Sequence, residues 1–373
     1  MSKQKTIIFT LLAIIILIVI AFGVHNQIKM NGEDENVIKI GAILPLTGTM
    51  SSLGNAERLG LEAAVAELNA RGDRKKIRLV IEDSKGDVKS AVMSAQKLIN
   101  GDNLKAVITS LSGVSKAVAP VFDKAEIPML SLCSDTTIAE SHNNCINFYV
   151  NLEAEQDELV KYLKQHDIKK IVVLRVNAEA GALAVDLLKK KYPSLIISAE
   201  WTYDLDKNDF KDIVANIENS ETDFLYIVGV GIKFPVILNS LWERKTTKKI
   251  IGNYMFSSSS ASSITPEILK NVVFTTFPIT AKSLSTTNLG QYFSSQGIPL
   301  PQFLDYVFAY DAIKFLDYQL QDLKLVGNFI PQVKGGNFSS LFGNMEIRTD
   351  GNAFVPMRMG RYNDNRKIEL LND

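Results

Sequence analysis

The sequence contains few of the residues that build metal sites and catalytic centres. Only two cysteines and three histidines occur among its 373 residues. His25, His142 and His166 lie in polar segments, where a surface histidine is the ordinary interpretation. A zinc site of the usual ligand types needs three or four histidines or cysteines, often with Asp or Glu. The composition therefore predicts no metal ion and no other cofactor.

Motifs for phosphate binding and nucleophilic catalysis are also absent. No G-x-S-x-G elbow and no G-x-x-x-x-G-K-[ST] loop occurs in the sequence. Gly229-Val230-Gly231 faintly resembles a dinucleotide-binding loop, but Phe234 stands where the third glycine belongs. Two acidic residues could still meet in a cleft and hydrolyse a substrate, although nothing in the sequence favours this. We expect no catalytic residues and a protein that is not an enzyme.

The charge balance argues against a nucleic-acid partner. Lys and Arg number 41, as do Asp and Glu, so no excess of positive charge is available to neutralise phosphates. Hydrophobic residues make up 46% and charged residues 22% of the chain, as in folded globular proteins. A chain of this length exceeds one ordinary core, so we expect two domains or lobes.

The N-terminus is the most hydrophobic part of the chain. Lys3 and Lys5 precede an apolar run from Ile7 to Val24 that is broken only by Thr10. As a helix this run is about 27 Å long, close to the thickness of a bilayer core. We interpret residues 1–24 as an uncleaved signal anchor or a cleaved signal peptide, and residues 25–36 as a polar tether. Both alternatives place the remainder outside the cytoplasm.

From residue 37 onwards, short apolar runs alternate with amphipathic segments. This alternation is typical of α/β proteins with parallel sheets that are covered on both faces. The pattern restarts near residue 151, which indicates two successive sheets over roughly 37–150 and 151–278. The expected strands are Val37–Leu44, Ile77–Ile81, Ala106–Ser110, Met129–Leu132, Lys170–Val176, Leu195–Ala199, Phe224–Val228 and Lys249–Gly252.

The C-terminal part has too few elements for a third domain. It begins with a long predicted helix over Phe303–Leu320. A predicted β-hairpin then joins Asn344–Arg348 to Val355–Tyr362 around the turn dipeptide Asp350-Gly351. We expect these elements to complete the two existing sheets.

Three turns of the first lobe are rich in small and hydroxylic residues. They are Thr47–Gly54, Leu111–Ser115 and Ser131–Thr137. In α/β sheets, ligands bind beyond the carboxyl ends of the strands, where helix N-termini present backbone N–H groups. The turns therefore suit an anion such as a carboxylate, although the same residues also serve simply to cap helices.

The two cysteines, Cys133 and Cys145, are close in sequence. Outside the cytoplasm a disulfide between them is expected to form if the geometry permits. The alternative is two separate thiols, because the sequence does not supply the geometry that a bridge requires.

Several segments together resemble the type I periplasmic binding proteins. They are GAILPLTGTMSSLGNAERLGLEAAVAELNARG (41–72), IRLVIEDSKGDVKSAVMSAQKLI (77–99), AVITSLSGVSKAVAPVFDKAEIPMLS (106–131), FAYDAIKFL (308–316) and FGNMEIRTDGNA (342–353). In their order and spacing they are similar to the branched-chain amino-acid (Leu/Ile/Val) branch of ABC-transporter solute-binding proteins, over about residues 37–365.

The resemblance implies two Rossmann-like lobes joined by a three-crossing hinge. Lobe one would comprise residues 37–151 and 279–341, and lobe two residues 152–278 and 342–373. In the family, the turns that match Leu111–Gly113 and Cys133–Asp135 hold the carboxylate and ammonium of the ligand.

The resemblance also implies contact residues in both lobes. The expected ligand-binding residues are Leu53, Ser112, Gly113, Ser134 and Asp135 in lobe one and Asn177, Glu179 and Tyr254 in lobe two. Tyr254 stands where the amino-acid binders place an acid for the ammonium, with Glu179 as a substitute. Ala180 and Val230 are small where the family has aromatic wall residues. The ligand could therefore be an amino acid or another small polar or carboxylated solute.

Three functional hypotheses follow. The first is an extracytoplasmic solute-binding protein that delivers its ligand to an ABC permease. The second is a membrane-tethered sensor or regulatory binding module of the same fold, which the long N-terminal apolar run suggests. The third, an enzyme on an α/β scaffold, is disfavoured because the catalytic motifs are missing.

Overall fold

The structure is a computed structural model that describes residues 36–101, 103–258, 261–298, 304–325 and 327–371. The predicted signal anchor or signal peptide (1–24) and all of the tether except Asn36 lie outside these residues. Within the described part of the chain, no helix has the length and apolar character needed to span a membrane.

The first sheet has five parallel strands in the order β2-β1-β3-β4-β5. Apart from its first residue, β1 is buried along its whole length, which is typical of a parallel sheet covered on both faces. The elements of this part are β1 (Val37–Leu44), α1 (Ser51–Ala70), β2 (Lys76–Asp83), α2 (Val88–Gly101), β3 (Ala106–Ser110), α3 (Ser112–Lys124), β4 (Met129–Leu132), α4 (Thr137–Ser141) and β5 (Cys145–Asn147).

The second sheet repeats this arrangement with five parallel strands. Its order is β15-β14-β10-β9-β8-β6-β7, where β14 and β15 are antiparallel additions at one edge. Its elements are α5 (Leu152–Gln165), β6 (Lys170–Val176), α6 (Glu179–Lys191), β7 (Ile196–Tyr203), α7 (Lys211–Glu218), β8 (Phe224–Val228), α8 (Phe234–Glu243), β9 (Lys249–Gly252), α9 (Pro266–Leu269), β10 (Val272–Thr276), β14 (Arg358–Tyr362) and β15 (Ile368–Leu370).

The chain after β10 returns to the first lobe. Its central helix is almost entirely buried and packs against α1 so closely that Gly60 lies against the Tyr306 carbonyl. The elements here are α10 (Ala281–Ser285), α11 (Asn288–Ser295), α12 (Asp305–Asp317), α13 (Ile330–Val333), β11 (Gly336–Ser340), β12 (Gly343–Ile347) and β13 (Ala353–Phe354).

The predicted C-terminal hairpin is only half correct. β12 does turn back at Gly351, which has φ of +88°, and Ile347 pairs with Ala353. The strand expected at Val355–Tyr362 does not complete this hairpin. Its residues 358–362 instead pair with β10 of the second sheet, with Arg361 opposite Val273. The tight turn could be predicted from its local sequence, whereas β10, the partner of β14, lies about 90 residues earlier in the chain.

The structure joins the two lobes by three crossings, near residues 148–151, 277–280 and 355–357. The fold is therefore that of two Rossmann-like lobes with parallel sheets. The third crossing lies later than the division proposed from the sequence, which placed residues 342–373 in lobe two. Phe342, Met345 and Ile347 pack in the same core cluster as Ile40 of β1, so residues 342–354 belong with the first lobe.

The expected disulfide is not present. Cys133 and Cys145 are both free thiols, and both are buried. Cys145 lies opposite Met129 in the parallel pair β4–β5, whereas Cys133 follows the end of β4. The Cys145 thiol lies 3.8 Å from the Ser131 hydroxyl, and the Cys133 thiol lies 3.8 Å from Asn147 Oδ1.

Candidate ligand-binding cleft

The carboxyl ends of the first sheet's strands converge on one edge, because all its strands are parallel. Asp83, at the end of β2, organises the turn that follows β1. Its Oδ1 accepts a hydrogen bond from Leu46 N at 2.9 Å, and its Oδ2 accepts one from Thr47 Oγ1 at 2.6 Å. Burial alone would raise the pKa of this carboxyl group, but these hydrogen bonds and one from Lys85 N hold it below its ordinary value.

The turn after β3 has a strained backbone. Leu111 has φ of +70° and ψ of 134°, a conformation that non-glycine residues rarely adopt and that clusters at functional sites. It leads directly into α3, whose first residues are Ser112 and Gly113. Gly113 is exposed, and a Cβ atom placed on it would meet no other atom within 4 Å. The turn therefore presents a helix N-terminus with open space in front of it.

In the turn after β4, part of the side-chain chemistry serves to cap a helix, which was the alternative to ligand binding. Asp135 Oδ1 accepts from Thr137 N at 3.1 Å and from Thr137 Oγ1 at 2.6 Å. Its other oxygen lies 3.7 Å from Lys116 Nζ, which ties this turn to the first turns of α3. Ser134 and Leu53 are half-buried at the same edge. The structure thus brings the predicted residues of lobe one to one edge of the first sheet.

The predicted residues of lobe two are more scattered. Asn177 follows β6 and is exposed, and its Nδ2 donates to Asp204 Oδ1 at 2.7 Å. Glu179 begins α6. Tyr254 follows β9, which is separated from β6 by β8. Of these residues, Tyr254 packs against the core of lobe one, which places it at the junction of the lobes.

A buried polar cluster at this junction was not predicted from the sequence. Asp305, at the start of α12, accepts a hydrogen bond from the Tyr149 hydroxyl, and Tyr149 follows β5. Glu57 of α1 accepts from Ser110 Oγ at 2.8 Å, at the end of β3. The predicted helix Phe303–Leu320 contains three aspartates, Asp305, Asp311 and Asp317, and nothing in the sequence distinguishes Asp305 as the one that joins this cluster.

The second lobe contributes a third buried acid. Glu155 of α5 accepts from Tyr254 N at 2.6 Å and from the Thr275 hydroxyl of β10. Burial raises the pKa of Glu57 and Asp305, and it raises that of Glu155 to about 7. The proximity of Asp305 raises the pKa of Glu57 further.

Residues 37–367 match the protein family described as periplasmic binding protein. The chain belongs to this family. Among curated relatives, the Leu/Ile/Val-binding protein of Escherichia coli K12 is 26% identical over 248 residues, 64% of this chain and 67% of the relative. A Leu/Ile/Val-binding protein homolog from Brucella abortus is 23% identical over 291 residues, 76% of this chain and 78% of the relative.

Solved structures share the fold of this periplasmic binding protein. The branched-chain amino-acid substrate-binding protein LivJ of Streptococcus pneumoniae, in complex with isoleucine, has a TM-score of 0.73 at 20% identity, covering 90% of this chain and 100% of that one. A solute-binding protein of Rhodopseudomonas palustris, in complex with 3,4-dihydroxybenzoic acid, has a TM-score of 0.76 at 19% identity, covering 90% and 96%. The fold thus serves both amino-acid and aromatic-acid binders.

Proposed function

We propose that this protein is an extracytoplasmic solute-binding protein that closes its two lobes on a small polar or carboxylated solute for ABC-type uptake. The observation that carries this proposal is the edge at which Gly113 and the strained Leu111 present the N-terminus of α3 beside the turn after β4. Tyr254 reaches the same junction from lobe two. Its relatives' names, Leu/Ile/Val-binding protein, support an amino acid or similar ligand.

The proposed contacts are those predicted above, from Ser112, Gly113, Ser134 and Asp135 on one side and from Asn177, Glu179 and Tyr254 on the other, with Leu53 at the rim. The hydroxyls and backbone N–H groups of lobe one would bind a carboxylate, because helix N-termini favour negative charge.

A second candidate function is a membrane-tethered sensor of the same fold. The apolar run Ile7–Val24 supports it, because an uncleaved run of this length would keep the protein at the membrane. In both cases the body of the protein lies outside the cytoplasm. Protease added to intact spheroplasts should degrade the body, and protection until lysis would contradict the proposed location.

A thermal-shift screen against amino acids, carboxylates, amides and sugars tests the binding function. A ligand at 100 times its Kd should raise the free energy of unfolding by about 2.7 kcal/mol. Gly113→Trp should abolish binding with little loss of stability, because Gly113 is exposed and no atom lies within 4 Å of an added Cβ. Unchanged affinity in a folded Gly113→Trp protein would place the binding site elsewhere.

A further inference from the structure

We propose that a cavity at the amino edge of the first sheet binds the tether of this same chain. The amino-edge cavity has a volume of about 1180 Å³ and lies where the amino ends of β1, β2, β3 and β4 meet. Its occupant is the tether segment 25–35, which lies outside the described residues and remains in the chain whether or not the apolar run before it is cleaved. The inference is independent of the proposed binding function.

The amino-edge cavity lies at the opposite edge of the first sheet from the candidate cleft. Lys75, Lys105 and Pro128 directly precede β2, β3 and β4, and all three line the cavity. Since the strands are parallel, their amino ends share one edge of the sheet. Their carboxyl ends, where solute is expected to bind, share the other edge. The cavity is therefore a second site, separate from the cleft.

The tether joins the folded lobe at this cavity. Asn36 is one of the lining residues, and its carbonyl oxygen accepts a hydrogen bond from Lys76 N at 3.2 Å. β1 begins before the level at which β3 begins, because Ala106 lies opposite Ile40. Asn36 thus forms part of the cavity wall, and the residue before it starts within reach of the lining.

Part of the cavity lining is apolar. Ile38 and Leu104 are buried there, and further apolar side chains around them are half-buried. Ile28 and Met30 are the two large apolar residues of the tether, and their spacing of two puts both on one face of an extended segment. Contact with the lining would remove this apolar surface from water. The apolar lining residues are Ile38, Ile99, Leu104, Ile127, Leu320 and Leu325.

Three lysines of the lining have no acidic partner among the described residues. Lys75, Lys105 and Lys324 are exposed, and none of them forms an ion pair in this part of the chain. Arg74, which also lines the cavity, is already paired with three aspartates. Glu126 is the one acid of the described lining that Arg74 does not pair with. The three lysines therefore make the rim of the cavity suitable for an acidic segment.

The tether carries the complementary charge next to its point of entry. The acidic segment Glu33–Glu35 directly precedes Asn36, so its members lie within about 10 Å of chain from the cavity wall. Before them stands Asn31-Gly32, a dipeptide typical of tight turns. A turn at this point would direct Ile28 and Met30 back towards the apolar lining.

The size of the cavity and its position also favour this occupant. Sites for small molecules usually measure about 300–1,000 Å³, and this cavity is larger, as a peptide segment requires. Fully extended, the tether would reach roughly 36–40 Å, whereas a bound tether holds the amino edge of lobe one close to residue 24. In an anchored protein this arrangement would turn the amino edge towards the membrane and the cleft away from it.

Trypsin cleavage after Lys29 in the full-length chain tests the inference. Lys29 is the one lysine or arginine of the tether segment, so binding in the cavity should protect it. Cleavage is followed by intact mass in neutral detergent and compared with that of a free peptide of residues 25–36. We expect the protein to be cleaved about tenfold more slowly than the peptide, a difference of about 1.4 kcal/mol. Equal rates would overturn the inference.

Charge variants assign the protection to the cavity. The triple variant Lys75→Gln, Lys105→Gln and Lys324→Gln should lose about fivefold of the protection, because the rim would no longer attract Glu33–Glu35. Unchanged protection in this variant would contradict binding at the rim. The matched control removes three exposed lysines outside the cavity and should be protected like the wild type. Its substitutions are Lys89→Gln, Lys190→Gln and Lys270→Gln.

A second pair of variants tests the apolar contact. Ile28→Ser with Met30→Ser should lose protection, measured against a peptide with the same changes, whereas Asn26→Ser with Gln27→Ser should not. Protection that rises with protein concentration would assign the cavity to a second copy of the chain. Protection that appears only when anionic phospholipid replaces the neutral detergent would assign it to lipid head groups. Either result would overturn the binding of the tether, and neither bears on solute binding in the cleft.

Discussion

At the scale of single residues, burial without a counter-charge raises the pKa of a carboxyl group. Glu155 is fully buried, accepts hydrogen bonds from Tyr254 N and the Thr275 hydroxyl, and has one oxygen without a partner. Burial raises its pKa from 4.5 to about 7 because desolvation disfavours the charged form more than two hydrogen bonds favour it.

We expect this residue to make the protein less stable as the pH rises. Below pH 4.5 Glu155 is protonated in both states, so its contribution is fully present there. Between about pH 4.5 and 7 the unfolded chain ionises while the folded protein stays protonated, and about 3 kcal/mol is lost. Urea unfolding from pH 4.5 to 8 should show this loss in the wild type relative to Glu155→Gln. Exposed Glu346→Gln is the control, and parallel pH profiles for Glu155→Gln and wild type would contradict the prediction.

The two cysteines give a second prediction at this scale. Burial raises the pKa of both thiols, that of Cys145 to about 12, so neither forms a reactive thiolate in the folded protein. We expect native protein to resist iodoacetamide, and protein unfolded without reductant to gain two alkyl groups by intact mass. A mass without added groups after unfolding would show that the two thiols are bridged, and would contradict the free thiols of the structure.

At the scale of elements, the sequence predicts buried strands well and their distant partners poorly. The bounds of β1, β3, β4, β6, β8 and β9 agree with the predicted runs, because strands buried on both faces are continuously apolar. β5 has only three residues and gives no such signal. The candidate site shows the same contrast. The turns after β3 and β4 could be predicted, because each comes directly after the end of a predicted strand. Glu57 and Asp305 meet only through tertiary packing across 248 positions.

The packing of α1 against α12 gives a prediction for one glycine. A Cβ on Gly60 would overlap the carbonyl oxygen of Tyr306, a backbone atom that cannot rotate away. Gly60→Ala should therefore cost about 1–3 kcal/mol of stability by overpacking, despite the better helix propensity of alanine. Gly101→Ala is the control, because no atom lies within 4 Å of its added Cβ. Urea unfolding measures both, and equal stability of Gly60→Ala and wild type would mean that the helices separate at little cost.

At the scale of the whole molecule, the two lobes are connected by three crossings and by a small number of contacts at their junction. Of the junction contacts, Tyr254 is anchored to lobe two by Glu155 and packs against lobe one, with its ring 5.9 Å from that of Phe277 in the second crossing. Arg348 reaches from the first lobe to Glu153 of α5 with 3.0 Å between Nη1 and Oε2. Such contacts are small compared with the two cores, so the distribution between open and closed forms should respond to ligand.

A solute that touches both lobes can shift this distribution only by its differential affinity for the closed form. We expect small-angle X-ray scattering of the wild type to show a smaller radius of gyration with saturating solute from the thermal-shift screen. Gly113→Trp, which fills the space in front of α3, should show no change at the same concentration. Arg348→Ala removes a junction contact outside the proposed site and should still close. An unchanged radius of gyration in ligand-saturated wild type would mean that the solute contacts one lobe only. That result would contradict the predicted closure of the lobes but not the binding of the solute.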